Sequence, residues 1–380
     1  MEHTEGTTAT DSPVVHSVRT ARVIVTCGTG GVGKTSIAAA LGVLAAEHGR
    51  RAVVITIDPA RRLTDAIGVS STLGNEPRRI TLDSATATGE MWVTMLDVRE
   101  TFDSLVRDTA TSEKQAVEVM NNSFYRSLSN SLSGTRDYMA AERLYELSHD
   151  SRFDLVIVDT PPSQNALDFL ESPERLARFL KHPLVRLLIA PGRGGLRLAG
   201  AAMQPVLRVI SGVVGNDAFA GAVAFLRAFE GMEQEFSRRA LEVAGLLRGD
   251  NTHFLVVTAP SPDALTQAQH FVDELARMRI SLYAAVANRM PPRFGSTTSH
   301  EELDRAQRSH GDETTARRVI AELLADAETA TERLRAFLSE SQQRHPRMTS
   351  VFATERSDDI HDMASIHHLA NELAGSADAQ

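Results

Sequence analysis

A single cysteine, Cys27, occurs in 380 residues. No disulfide can close within the chain, which suits a reducing compartment. Long apolar runs are missing as well. In the most apolar region, residues 184–226, the longest uncharged run is "LAGAAMQPVL", ten residues, where a membrane-spanning helix needs about 20. The chain is therefore expected to be cytoplasmic, with at most a peripheral contact to a membrane. An excess of positive charge is lacking too. The formal net charge of −9 speaks against nonspecific nucleic-acid binding, which needs a basic face to neutralise phosphates, and no nucleic-acid partner is expected. Residues 1–19 are rich in Thr, Ser, Asp and Glu without an apolar centre. They do not read as a signal peptide and are expected to form a disordered tail.

What is present is a hydrophobic content of 42% against 23% charged residues, the balance of a globular protein. At roughly 150 residues per domain the length allows two units, or one core with large insertions. The strand signals favour one core. "RVIVTC" (22–27) and "AVVITI" (52–57) are β-branched and continuously apolar, as parallel strands covered on both faces should be. Between them lie a glycine-rich turn and a helix over "KTSIAAALGVLAAEHG", ended by Gly49. Together they make a βαβ unit. Further strands are expected at 153–159, 253–259 and 282–288, with a weaker one at 349–353. The expected fold is α/β: a P-loop NTPase with a mostly parallel, doubly wound sheet. Its core spans 20–368, carries helical insertions at about 100–148, 165–248 and 300–345, and ends in a frayed tail at 369–380.

The glycine-rich turn fits G-x-x-x-x-G-K-[ST], a phosphate-binding loop. Gly28, Thr29, Gly30, Gly31, Val32 and Gly33 supply backbone N–H groups that cradle phosphate oxygens. Lys34 reaches the β- and γ-phosphates, the Thr35 hydroxyl is a Mg²⁺ ligand, and Ser36 continues the site into the positive end of the helix. ATP and Mg²⁺ are the implied ligands. Asp58 and Asp159 each end a strand, in "ITIDPARRL" and "LVIVDTPPS", where open α/β sheets bind ligands. Asp159 suits an acid that holds Mg²⁺ through water. Asp58 suits a catalytic group that orients or deprotonates the attacking water. A strand-end turn role stands as the alternative for each.

These motifs, with "SGTRDYMAAERLYEL", "VIVDTPPSQNALDFLESP", "VVTAPSPDAL" and "VANRM", resemble the arsenite-pump ATPase family, which includes the eukaryotic ATPase that delivers tail-anchored membrane proteins. The resemblance covers most of residues 20–370. It implies ATP hydrolysis in a dimer, with Asp58 in a first switch, residues 159–165 as a second, and Asn288 hydrogen-bonded to adenine. Three departures bear on mechanism. The family's "GKGGVGKT" is "GTGGVGKT" here, so Thr29 replaces a lysine that crosses the dimer interface. "DTAPTGHT" becomes "DTPPSQNA", with Gln164 in place of a glycine. The thiolates that capture arsenite and the zinc-binding Cys-x-x-Cys of some dimers have no counterpart beside the lone Cys27.

Residues 175–216 contain no Asp or Glu but carry Arg175, Arg178, Lys181, Arg186, Arg193, Arg197 and Arg208. Met203, Val206, Leu207, Ile210 and Val214 follow helical spacing. Val223, Leu226, Phe229, Met232 and Phe236 form a second stripe. Two readings are open: an apolar groove with a basic rim for a hydrophobic or membrane-protein client, or stripes packed into the core. The leading function is a Mg-ATP-dependent switch that couples hydrolysis in a dimer to rearrangement of this helical region. The dimer is of identical chains or includes a paralogous subunit that keeps the lysine. The alternatives are a partition or positioning ATPase, and a nucleotide-binding scaffold with little turnover.

Overall fold

Apolar runs without polar alternation suit strands covered on both faces, and the computed structural model arranges them so. It describes residues 12–58, 62–68, 73–82, 87–126, 133–161, 168–183, 216–291, 313–356 and 359–375. The first elements are α1 (Pro13–Thr20), β1 (Val23–Cys27), α2 (Lys34–Glu47), β2 (Arg51–Thr56), α3 (Arg62–Ile67), β3 (Arg78–Ile80) and β4 (Glu90–Met95). They are followed by α4 (Val98–Thr109), α5 (Glu113–Asn121), α6 (Ser133–His149), β5 (Leu155–Asp159), α7 (Asp168–Leu180), α8 (Asn216–Ala228) and α9 (Glu233–Arg248). The last are β6 (Thr252–Thr258), α10 (Pro262–Arg277), β7 (Leu282–Met290), α11 (Glu313–Arg344), β8 (Thr349–Thr354) and α12 (Met363–Gly375).

The strands form one eight-stranded sheet in the order β3-β4-β2-β5-β1-β6-β7-β8. Every pairing is parallel except β3 with β4. Side chains alternate between the two faces, as strand geometry requires. Ile24, Val54 and Ile157 face a cluster built with α1, α2, α3 and α12. Val23, Val53 and Val156 face a second cluster built with α6, α7, α9, α10 and α11. The sheet is doubly wound, as expected. Helix α2 is apolar nearly all round, and its residues from Ile37 to Ala46 are buried, so it needs cover on every side. The sheet supplies it on one side, α1 and α12 on the other.

A third cluster is purely helical. Phe102 and Leu105 of α4, Val119 of α5, Met139 of α6, Leu180 of α7 and Phe225 of α8 meet Met232 and Phe236, at the start of α9. Phe229, Met232 and Phe236 are thus packed inside, and that part of the second apolar stripe is core. The first stripe, at 203–214, lies outside the described residues, as do Arg186, Arg193, Arg197 and Arg208. Arg175 pairs with Asp168 at 2.9 Å and Glu171 at 2.6 Å.

The expected boundaries shift at both ends. Residues 12–19 are not tail. Pro13 opens α1, and Val14, Ser17 and Val18 are fully buried. Ser12 Oγ donates to the Leu373 carbonyl at 2.7 Å. Leu369, Ala370 and Leu373 are buried in α12, so residues 369–375 are packed rather than frayed. The reach of 100–148 is also revised: Ala140, Ala141, Leu144 and Leu147 of α6 cover the sheet itself. Strands β3 and β4 and helix α10 were not foreseen. No helix among the described residues is long and apolar enough to cross a membrane.

Candidate functional site

The parallel register brings Thr26 of β1, Thr56 of β2 and Asp159 of β5 to one level at the C-terminal edge of the sheet. The loop from Gly28 leaves β1 at this edge and turns into α2. Two of its glycines are required by geometry. Gly28 has φ 147°, and a Cβ there would stand 2.1 Å from the Val257 carbonyl oxygen. Gly33, the N-cap of α2, has φ 90°, and its Cβ would lie 2.3 Å from Asn288 Nδ2. Gly31 needs its positive φ of 81° but has open space around it. The loop leaves Lys34 at the first position of α2, buried, with Nζ donating to the Thr29 carbonyl at 2.7 Å. That contact uses backbone, so the change from lysine to threonine at position 29 leaves it intact.

Asp159 is the most enclosed of the acids here. Its Oδ2 accepts from the Thr35 hydroxyl at 2.8 Å and from the Thr56 hydroxyl at 3.1 Å. Its Oδ1 is buried with no hydrogen-bond partner among the described residues. Burial pushes the carboxyl up to about 6, against the pull of the two hydroxyls and the Lys34 ammonium. An orphan carboxylate oxygen beside a threonine hydroxyl is a hard-oxygen donor set, the kind magnesium takes, so these residues fit the expected ion. Asp58 lies two residues beyond Thr56, 9% exposed, and lines a cavity at this edge together with Thr35. Burial holds the Cys27 thiol well above its ordinary value, so it is not a reactive thiolate.

The cavity measures about 720 Å³ and is lined by Gly31, Gly33, Lys34, Thr35, Ser36 and Asp58 on its loop side. The structure therefore gathers Lys34, Thr35, Asp58, Asp159 and the loop at one place. Asn288, buried at the end of β7, belongs there too. Its Nδ2 donates to the Val32 carbonyl at 2.8 Å, a brace on the loop that sequence reasoning did not foresee. The opposite wall was also missed. It consists of Arg289 of β7, Thr354 at the end of β8, and the segment that follows, including Arg356, Ile360 and His361. The signal was available in kind, because this segment too leaves the C-terminal end of a strand, but β8 is only partly apolar and buries only Val351 and Ala353. Gln164 lies outside the described residues.

Comparison with known proteins gives the family. The profile of the anion-transporting ATPases matches residues 21–336. ATPase ASNA1 homolog 1 of Paramecium tetraurelia is 23% identical over 72% of this chain and 76% of its own length. ATPase ARSA2 of Chlamydomonas reinhardtii is 25% identical over 75% of this chain and 73% of its own. A putative arsenical pump-driving ATPase of Halobacterium salinarum is 28% identical over 47% of this chain and 28% of its own. The profile match takes in the phosphate loop, both carboxylate-bearing strand ends and every strand except β8, so sequence likeness and strand order rest on the same residues, and the chain belongs to the anion-transporting ATPase family.

Proposed function

We propose that the cavity hydrolyses Mg²⁺-ATP and that the chain uses this reaction to move its helical cluster. The observation that carries the site assignment is the shared sheet edge. Asp159, tied to Thr35, and Asp58 two residues past Thr56 stand beside one phosphate loop. Lys34 and the loop's N–H groups hold the β- and γ-phosphates. Magnesium, held by Thr35 and through water by Asp159, would neutralise charge on the phosphate oxygens. Asp58 orients a water in line with the γ-phosphate and takes up its proton. The Asp58→Asn variant is expected to bind nucleotide normally and to release phosphate about 10²-fold more slowly. Parallel titrations and phosphate-release assays check this, and an equal loss of affinity and rate would assign Asp58 a binding or folding role instead.

The coupling reading is supported by α7. It begins nine residues after Asp159, packs Phe169 and Leu170 against the sheet, and carries Ala177 and Leu180 into the helical cluster. Helix α6 spans both clusters in the same way. A shift at the strand end is thereby passed to α8 and α9 through two helices that each reach both clusters. In this reading ATP closes a dimer, hydrolysis reopens it, and the helical region engages a hydrophobic or membrane-protein client. Hydrogen exchange over 175–236 is expected to change when a non-hydrolysable ATP analogue binds. Identical protection with and without the analogue would leave the cluster a static part of the fold. The same reading makes the second subunit a lysine-bearing paralogue.

A further inference from the structure

The cavity has two unequal sides. Neighbouring strands lie about 4.8 Å apart. The carboxylate of Asp159 belongs to β5, one strand from β1, and Asp58 follows β2, two strands away in the same direction. On the other side β7 and β8 stand roughly 10 and 14 Å from β1. A nucleotide whose phosphates sit on the loop with its γ-phosphate toward Asp58 therefore extends its base toward β7 and β8. None of the described residues lining the cavity is Phe, Tyr or Trp; its flat groups are the His361 ring and the guanidinium groups of Arg289 and Arg356. The flat face of a base needs another flat group.

The geometry points to Arg356 as the platform on which the nucleobase of the bound nucleotide lies, with Glu372 as the residue that positions it. This rests on the nucleotide site proposed above. Arg356, with Asp359 and His361, lines both the nucleotide cavity and a second cavity of about 460 Å³ beside the start of α12. Glu372 of α12 fixes it. One carboxylate oxygen accepts from the Thr354 backbone N–H at 2.6 Å and the other from the Arg356 guanidinium at 2.9 Å. The Glu355 N–H donates to the Met290 carbonyl at 2.8 Å, so the wall is anchored to β7 as well. A guanidinium held on one edge keeps its plane, and planar arginine stacks on aromatic faces. Arg356 Nε is buried and has no partner among the described residues.

The test compares Mg-ADP with inorganic pyrophosphate, which shares the phosphates but has no base, by calorimetry on the full chain. Arg356→Ala is expected to weaken ADP about 10-fold, the scale of one base stacked on a side chain, and to leave pyrophosphate unchanged. Retained pyrophosphate binding also shows that the variant is folded. Arg356→Phe restores a plane and brings ADP back to within about threefold of wild type. Arg356→Lys keeps the charge without the plane and does not. Glu372→Gln weakens ADP alone, by about threefold, because it loosens the platform without removing it. Equal ADP affinity in Arg356→Ala and wild type overturns the platform while the nucleotide site stands. A parallel loss of pyrophosphate, or rescue by lysine and not phenylalanine, overturns it by making Arg356 a charge contact to phosphate. Failure of the wild-type chain to bind either ligand overturns both readings.

Discussion

The Lys34→Ala variant is expected to release phosphate at the background rate, a loss of at least about 10³-fold. Lys34 occupies the first position of α2, 6% exposed, and its Nζ reaches back to the Thr29 carbonyl across the mouth of the loop. The loop's N–H groups remain when the side chain is cut to a methyl, so some phosphate affinity survives. What goes is the full positive charge that stabilises the phosphoryl group as it transfers. A thousandfold is about 4 kcal/mol in the barrier, within the range of one preorganised cation in a water-poor site. The core tolerates the change, because the buried face of α2 is carried by Ile37 to Ala46. A thermal melt near that of the wild type, together with absent turnover, is the expected pair of results. Hydrolysis at the wild-type rate would place the reaction elsewhere in the molecule.

A lysine-bearing partner is expected to raise the chain's slow basal hydrolysis by about 10³-fold or more, and to lose that effect when its lysine is removed. This is the second large effect, and it follows from Thr29. The backbone at position 29 is in place, since its carbonyl receives Lys34. A threonine side chain brings no charge. A cation supplied to phosphoryl transfer from outside the site is worth about 10³–10⁵ in rate. Among the described residues of the cavity, the arginines lie at the other wall, Arg289 after Asn288 and Arg356 pinned to Glu372. Neither is placed beside Asp58. In the proposed face-to-face pair the partner's lysine would reach this chain's γ-phosphate, while the partner's own site would face Thr29, so the two sites are expected to turn over at different rates. Single-turnover assays on the isolated chain and on the pair measure the ratio. A homodimer with full activity would show that the charge comes from within the chain.

The strands that the sequence made readable are those buried on both faces. "VIVTC", "AVVIT" and "LVIVD" can be little else, and their ends then mark the site, because ligands gather there. The phosphate loop is readable for a different reason: its parts are adjacent in sequence, so spacing alone defines them. β3 has two exposed arginines in three residues, and β4 opens on Glu90 and ends on a half-buried methionine. Neither carries the signal of a buried strand. The N-terminal helix did carry one, Ser12–Pro13 followed by Val14, Val15 and Val18, but the polar residues before it outweighed three valines. Contacts made across the fold were out of reach. That Asn288 braces Val32 depends on how β7 lines up two strands from β1. That Thr354 and Arg356 share Glu372 depends on the packing of α12. The readings of 162–167 and 184–215 concern residues outside those described.

The cover over α2 has a consequence for the order in which the protein is made. The helix that opens with Lys34 and Thr35 is synthesised early, yet its outer side is closed by Ile366, Leu369 and Leu373 of α12, which leave the ribosome after every strand. Until then an almost wholly apolar helix has one face without cover, and the brace from Asn288 arrives late as well. Chains grow at about 5–20 residues per second and domains fold as units. Nucleotide therefore has no finished site to bind on a nascent chain, and the apolar face of α2 is the surface most in need of a chaperone during that interval.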